Sequence, residues 1–189
     1  MAIDLSELEI LNLMQHSQVT EFYTQYYTLP QLGKGCHHEI QMRDGLGLHI
    51  IDGHLSEPLI LHRQHGELFP LTAKFYLSGA SKVKAKNVPK SLSDYEEVAG
   101  YNYLYHLPDM AETEEWQAHT PTLVVVAWAD LDYFRAFSPG DRTLPTALQQ
   151  LVKNGDRFHQ SLGKMSLAMN RLMRQILNCP YQGMMQQIY

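Results

Sequence analysis

The stretch Phe69-Pro-Leu-Thr-Ala-Lys-Phe-Tyr-Leu77 decides the fold class. Phe69, Leu71, Ala73, Phe75 and Leu77 fall on one side, with Thr72, Lys74, Tyr76 and Ser78 on the other. Successive side chains leave a strand in opposite directions, so this alternation predicts an antiparallel strand with one buried face. Gly45-Leu-Gly-Leu-His-Ile-Ile51, Pro58-Leu-Ile-Leu-His-Arg-Gln64, Tyr101-Asn-Tyr-Leu-Tyr-His-Leu107 and Thr122-Leu-Val-Val-Val-Ala-Trp-Ala129 read as further strands. Asp52-Gly53, Gly66, Ser78-Gly79 and Pro108-Asp109 supply turns at intervals suited to a sandwich or small barrel. Helical spacing is absent between about Gly35 and Ala129.

Outside that zone the period changes. Ser6-x-x-Glu9 has capping-box spacing and predicts a short N-terminal helix. Helices are expected at Asp130–Phe137, at Pro145–Lys153 and at Lys164–Asn178, where Pro180 stops the last. In that last segment Met165, Ala168, Met169, Leu172, Met173, Ile176 and Leu177 form an apolar stripe. Strands first and helices after give an α+β class: a cupin-like or jelly-roll barrel or sandwich followed by a C-terminal helical segment. The divisions are 1–30 (helix and lead-in), 31–130 (barrel) and 131–189 (helical dimerisation or linker segment). The chain ends on Ile188 and Tyr189 without a polar tail, which reads as a cut ahead of a further portion.

Composition bounds the function. With 44% hydrophobic and 19% charged residues, the chain is globular. A length of 189 residues suits one domain with a core. Net charge is -5, and the one basic cluster, Lys82, Lys84, Lys86 and Lys90, reads as a solvated strand or loop. Nucleic-acid affinity rests on clustered cations, so this chain alone is not expected to bind DNA. Cys36 and Cys179 make no disulfide framework. The N-terminus is acidic where a signal peptide would be basic. No apolar run reaches the ~20 residues of a membrane span. A cytoplasmic protein with no membrane partner is expected.

No nucleophile elbow, phosphate loop or dinucleotide fingerprint is present, so no catalytic residue is assigned. Glu114 and Glu115, like Asp130 and Asp132, read as helix-start carboxylates. His62 and His65 are candidate metal ligands only if their strand ends between them, since residues three apart otherwise face opposite ways. The aromatic strand is the candidate ligand wall. Either Tyr101, Tyr103 and Tyr105 or Asn102 and His106 would face a cavity, with Arg63, Trp116 and Trp128 as neighbours. The stripe of Met165, Met169, Leu172, Met173 and Ile176 serves equally as core or as a dimer seam.

Asn178-Cys-Pro-Tyr-Gln-Gly183, closing the helix that carries Arg174-Gln-Ile-Leu177, resembles the end of the sensor half in the PchR-like branch of AraC-family bacterial transcription regulators, a branch abundant in cyanobacteria. Tyr101-Asn-Tyr-Leu-Tyr-His-Leu-Pro-Asp109, Gly45-Leu-Gly-Leu48, Phe75-Tyr-Leu-Ser-Gly79 and Leu144-Pro-x3-Leu148 resemble the same branch. The resemblance implies a sensor of a small molecule in a cupin-like barrel, dimerising through the following helices. DNA binding would lie in an absent C-terminal helix-turn-helix half. It also implies iron-linked control, with a ferric siderophore or haem as ligand, and His106, His62 or His65 as haem-ligand candidates. The rival expectation is a metal-dependent cupin-like enzyme; a third is a dimerisation module without a ligand.

Overall fold

The computed structural model describes residues 2–20, 22–28, 31–86, 88–137 and 146–179. Along the chain run β1 (Ile3–Ser6), α1 (Glu7–Asn12), β2 (Met14–Val19), β3 (Tyr23–Thr28), β4 (Gly33–Arg43), β5 (Leu46–Leu55), β6 (Leu59–Gln64), β7 (Leu71–Ser78) and β8 (Ala80–Ala85). There follow α2 (Lys90–Ser93), β9 (Asp94–Val98), β10 (Tyr101–His106), β11 (Ala111–Trp116), β12 (Pro121–Ala129), α3 (Leu131–Phe137), α4 (Thr146–Asn154), β13 (Phe158–Lys164) and α5 (Leu167–Leu177).

Strand pairing defines the architecture. β5 pairs with β12, β6 with β11, β7 with β10 and β8 with β9, all antiparallel. This is one long hairpin, closed at β8–β9 and wound so that successive strand pairs fall in opposite sheets, which is a jelly roll. One sheet has the order β1-β6-β11-β8-β9 and the other β13-β10-β7-β12-β5-β4-β3-β2. The five strands expected between Gly45 and Ala129 are all present, and the capping box holds α1: Glu9 N donates to Ser6 Oγ at 3.3 Å and Ser6 N to Glu9 Oε2 at 2.7 Å.

β12 shows why its sequence is apolar without alternation. Val124 packs between the sheets with Leu59, Leu61, Tyr76, Tyr103 and Trp116. Its neighbour Val125 packs on the outer face with Tyr23, Ile40, Ile50 and Met173 of α5. Both faces are covered, so both need apolar side chains. β7 departs from expectation for the same reason. Its alternation holds, but the face bearing Thr72, Lys74 and Tyr76 is the one turned between the sheets, at 4%, 5% and 0% exposure. Ala73, Phe75 and Leu77 are half-buried on the other side, where Phe75 and Leu77 lie in the cluster under α5.

Lysine is tolerated inside because its charge is matched. Lys74 Nζ lies 2.7 Å from Glu97 Oε2 on β9 and 3.2 Å from Glu114 Oε1 on β11. Glu114 also meets Arg63 Nε of β6 at 3.0 Å and accepts from Trp116 Nε1 at 3.3 Å. Glu97 accepts from Tyr76 Oη at 2.9 Å and pairs with His159 Nε2 of β13 at 2.9 Å. Glu114 is therefore no helix-start carboxylate: it sits on a strand, buried, because Arg63 and Lys74 wait there for it.

Residues 131–189 were expected to be helical, yet β13 intervenes between α4 and α5 and pairs with β10. Its sequence, Phe158-His-Gln-Ser-Leu-Gly-Lys164, is too polar for a core strand and too short of helical spacing for a helix. The three expected helices are present as α3, α4 and α5 within a fold that is mostly β. β1, β2, β3, β4, β8, β9 and β11 add strands beyond the five that periodicity assigns. The Leu144-Pro145 pair, Pro180 and most of the Asn178–Gly183 string lie outside the described residues. Lys82 and Lys84 sit on the exposed face of β8, a solvated strand as expected of that cluster.

Lys74→Met should cost about 3–5 kcal/mol of stability in urea denaturation, because Glu97 and Glu114 stay buried with one partner fewer. Adding Glu97→Gln should recover part of that loss; additive losses would show that the pair does not interact.

Candidate functional site

The sheets do not meet solidly along their whole length. A hollow of about 260 Å³ lies under α1, walled by Glu7, Ile10, His37, Glu39, His49 and Trp116 among others. A second of about 440 Å³ is walled by Phe69, Thr72, Tyr105, Val126 and Trp128 among others. Glu39, His49 and Arg63 belong to both walls. Their strands explain the convergence: Glu39 of β4 stands directly opposite His49 of β5, and Ile51, two residues on, stands opposite His37. Residues two apart share a strand face, so His37, Glu39 and His49 project together into the hollow.

Electrostatics mark this junction. Burial depresses the His49 imidazole to about 3, helped by the neighbouring His37, Arg63 and Lys74. His37 is pushed down to about 4 by burial, then by His38 and Arg63. Both are neutral near pH 7. Their rings lie 5.7 Å apart, and among the described residues neither has a hydrogen-bond partner. Burial alone would raise the Glu114 carboxyl, but Arg63 and Lys74 overcome it and hold it at about 2. Arg63 in turn stays charged: burial opposes it, and Glu114 and Glu7 more than offset that. Shifted ionisable groups around a hollow are the usual mark of a binding or reacting site. A groove of about 560 Å³ beside the end of α5 is larger, but it lies on the outer face of the sheet.

Of the residues expected at a ligand, Arg63, Tyr105 and Trp128 line the second hollow. Trp128 lies flat over Gly47, its cross-strand partner, where any Cβ would run into the indole. Tyr101, Tyr103 and Tyr105 form the inward face of β10, since Tyr103 pairs with Lys74 and Tyr105 with Thr72. Tyr103 is core, set edge-on to Tyr76 at 6.0 Å, its hydroxyl accepting from Val98 N at 2.8 Å. Asn102 and His106 face the other way. Asn102 pairs with Phe75 and donates weakly to Met169 Sδ at 3.6 Å, so these two lie away from the hollows.

His62 and His65 are not brought together. His62 is exposed, with Nε2 2.7 Å from Asp4 and Nδ1 3.2 Å from Thr113 Oγ1. His65 is buried, with Nδ1 3.0 Å from Leu107 O and Nε2 3.2 Å from Glu112. All four ring nitrogens are engaged, so neither histidine has a lone pair spare for iron. Among the described residues no group of three His, Cys, Asp or Glu could hold a metal ion. The α5 stripe divides: Met165 and Met173 are buried, Met169 and Ile176 half-buried, and Leu172 is exposed.

The profile of the regulatory protein PchR N-terminal domain matches residues 33–189 of the sequence. The chain belongs to the PchR N-terminal domain family. The match takes in β4 through α5, hence Arg63, His37, Glu39 and His49 and most of both hollows' walls, while Glu7 and Ile10 of α1 and Tyr23 of β3 lie ahead of it. No curated protein matches the sequence. Solved structures similar to this PchR-type domain include an apo ToxT variant from Vibrio cholerae, at 13% identity and a TM-score of 0.48, covering 76% of this chain and 51% of that one. The AraC-like transcriptional activator CuxR is 8% identical with a TM-score of 0.44, covering 96% of this chain and 59% of CuxR. An oxalate decarboxylase OxdC mutant from Bacillus subtilis is 11% identical with a TM-score of 0.38, covering 61% and 31%. The domain thus spans less than two thirds of each of these chains. Among its described residues no helix is long and apolar enough to cross a membrane.

Acid should weaken this domain in a defined window. The unfolded chain protonates its histidines below about 6.5, while folded His37 and His49 resist until about 4 and about 3. The unfolded state then binds more protons, so stability falls as pH drops from about 6.5 toward 4. The Glu97 and Glu114 carboxyls, both held below their usual value, add their loss only below about 4.5. Urea midpoints at about pH 7, 6 and 5 should therefore decline. His37→Gln/His49→Gln should flatten that decline, and an unchanged slope would remove these two histidines as its cause.

Proposed function

We propose that this chain is the ligand-sensing and dimer-forming part of an AraC-type transcription regulator. Its ligand is an iron-related small molecule, a ferric siderophore or haem, held between the sheets, and DNA is contacted through a part outside this chain. The observation that supports this reading is the pair of hollows meeting at Arg63, His49 and Glu39 inside a PchR-family domain. Arg63, Tyr105, Trp116 and Trp128 are the site residues retained from the sequence; His37, Glu39 and His49 join them. A bound ligand switches output only if the two states of the domain bind it with different affinity. The element placed to carry that difference is β13, since His159 ties it to Glu97 and it leads directly into α5.

The rival, a metal-dependent cupin-like enzyme, draws on His37, Glu39 and His49 lying on adjacent strands. The fixed cations Arg63 and Lys74 beside them weigh against a bound cation. Stoichiometric metal in protein purified without a histidine tag would favour the enzyme.

The sensing reading is checked through the two tryptophans, since Trp116 lines one hollow and Trp128 the other. Titration with a ferric catecholate, a ferric hydroxamate and haemin should quench indole emission saturably for one of them, after correction for absorbance. Trp116→Phe and Trp128→Phe should each remove part of that signal. A flat response to all three sinks the iron-related ligand.

The homodimer seam is assigned to the outward side of α5, with Leu167 and Leu172 exposed at 68% and 52%. Leu172→Asp should shift sedimentation to the monomer while changing stability by no more than about 0.5 kcal/mol. Met173→Ala, a core lesion, should instead cost about 2–5 kcal/mol. A dimer unaffected by Leu172→Asp moves the seam elsewhere.

A further inference from the structure

Arg63 is placed unlike the other buried ions of the interior. It belongs to the walls of both hollows, and its side chain keeps 30% exposure while Glu114 keeps 4%. Its Nε lies 3.0 Å from Glu114 Oε2 yet makes no aligned hydrogen bond among the described residues. Its Nη1 is 3.8 Å from Glu7 Oε1, an ion-pair distance too long for a hydrogen bond. The guanidinium has five N–H donors in a fixed fork, and these two contacts satisfy it poorly. Lys74, by contrast, is enclosed by Glu97 and Glu114 at 2.7 and 3.2 Å and faces no hollow.

The groups around Arg63 sharpen the chemistry. His37 and His49 face the same space as neutral rings, each able to donate one N–H and neither able to neutralise a cation. Of the two carboxylates nearby, Glu39 accepts from Tyr26 Oη at 3.0 Å, and Glu7 sits at the α1 side. Glu114 is shared between Arg63, Lys74 and Trp116. It would keep Lys74 and Trp116 if Arg63 turned away.

We propose that the ligand presents an anionic oxygen group, of the carboxylate class, to the Arg63 guanidinium at the junction of the hollows, with the His37 and His49 rings flanking it, and that it takes Arg63 over from Glu114. This rests on the sensing reading above and deepens it by naming the recognised group. Bidentate pairing with a carboxylate supplies the aligned hydrogen bonds that Glu114 does not. Glu114 keeps Lys74 at 3.2 Å and Trp116 Nε1 at 3.3 Å, with Lys74 then serving both Glu97 and Glu114, so the ligand pair has to outweigh the ion pair that Glu114 loses. Lys74 and Glu97 then connect the junction to His159 on β13 through contacts already in place.

The test uses benzoate and benzamide, a charged and a neutral probe of one shape, on the intact chain, read by indole fluorescence and by ligand-observed NMR. Benzoate should bind about tenfold or more tightly than benzamide, the margin of one charge-assisted hydrogen bond. Arg63→Gln should erase that preference. Glu114→Gln should do the opposite and tighten benzoate, because the internal competitor is gone; a merely misfolded variant would not. Equal binding of the two probes, or a preference that survives Arg63→Gln, overturns the anchor while leaving the sensing reading standing. Benzoate preference with a flat ferric and haemin titration would remove the iron-related ligand and keep the anchor. Failure of both probes to bind overturns the anchor.

Discussion

Charge neutralisation between the sheets is the constraint on which this domain depends. Lys74, Arg63, Glu97 and Glu114 come from four strands of both sheets and converge where a sandwich normally holds only hydrocarbon. Desolvating four ions is expensive, and the arrangement persists because each meets at least one opposite charge and further donors. Tyr76, Trp116 and His159 complete the shell around the carboxylates. One consequence is geometric. A packed apolar interior would leave no room for water or ligand, whereas a polar one keeps Arg63 and its neighbouring imidazoles beside open space.

That same constraint sets the limit of what the sequence discloses. β12 and β7 are legible because burial imposes apolar or alternating patterns on them, and α1 because Ser6 and Glu9 cap each other. β11, Ala111-Glu-Thr-Glu-Glu-Trp116, shows no such pattern, although Glu112, Glu114 and Trp116 are its buried residues. Its inward face is acidic only because Arg63 and Lys74 come from elsewhere in the chain, and no local rule contains that fact. β13 escapes for a milder reason: it is an edge strand whose useful side chain is His159.

The candidate site divides in the same way. Arg63 and Trp128 are legible as a cation and a large aromatic within expected strands, and the inward face of β10 is the tyrosine one. His37, Glu39 and His49 carry no recognisable motif in the sequence, because only the i, i+2 spacing of His37 and Glu39 is local and the register that sets His49 opposite Glu39 is not. That spacing, with a histidine on the next strand, was the available signal. His62 and His65 are candidates by spacing alone, and each spends both ring nitrogens on partners already fixed in the fold.

The nested pairing of the jelly roll has a kinetic side. Leu46 meets Ala129, Leu59 meets Trp116 and Ala80 meets Val98, so each pair encloses the next. Loop closure is least costly for the innermost β8–β9 hairpin and rises outward, and each closure shortens the loop that the next must cross. The backbone is thus expected to zip from its middle toward its ends, on a timescale of the order of milliseconds to seconds as for other chains dominated by distant contacts. Until β5 reaches β12, the Val124–Val125 segment has no partner on one edge, and a ribosome must release the whole of β12 before that edge can be closed.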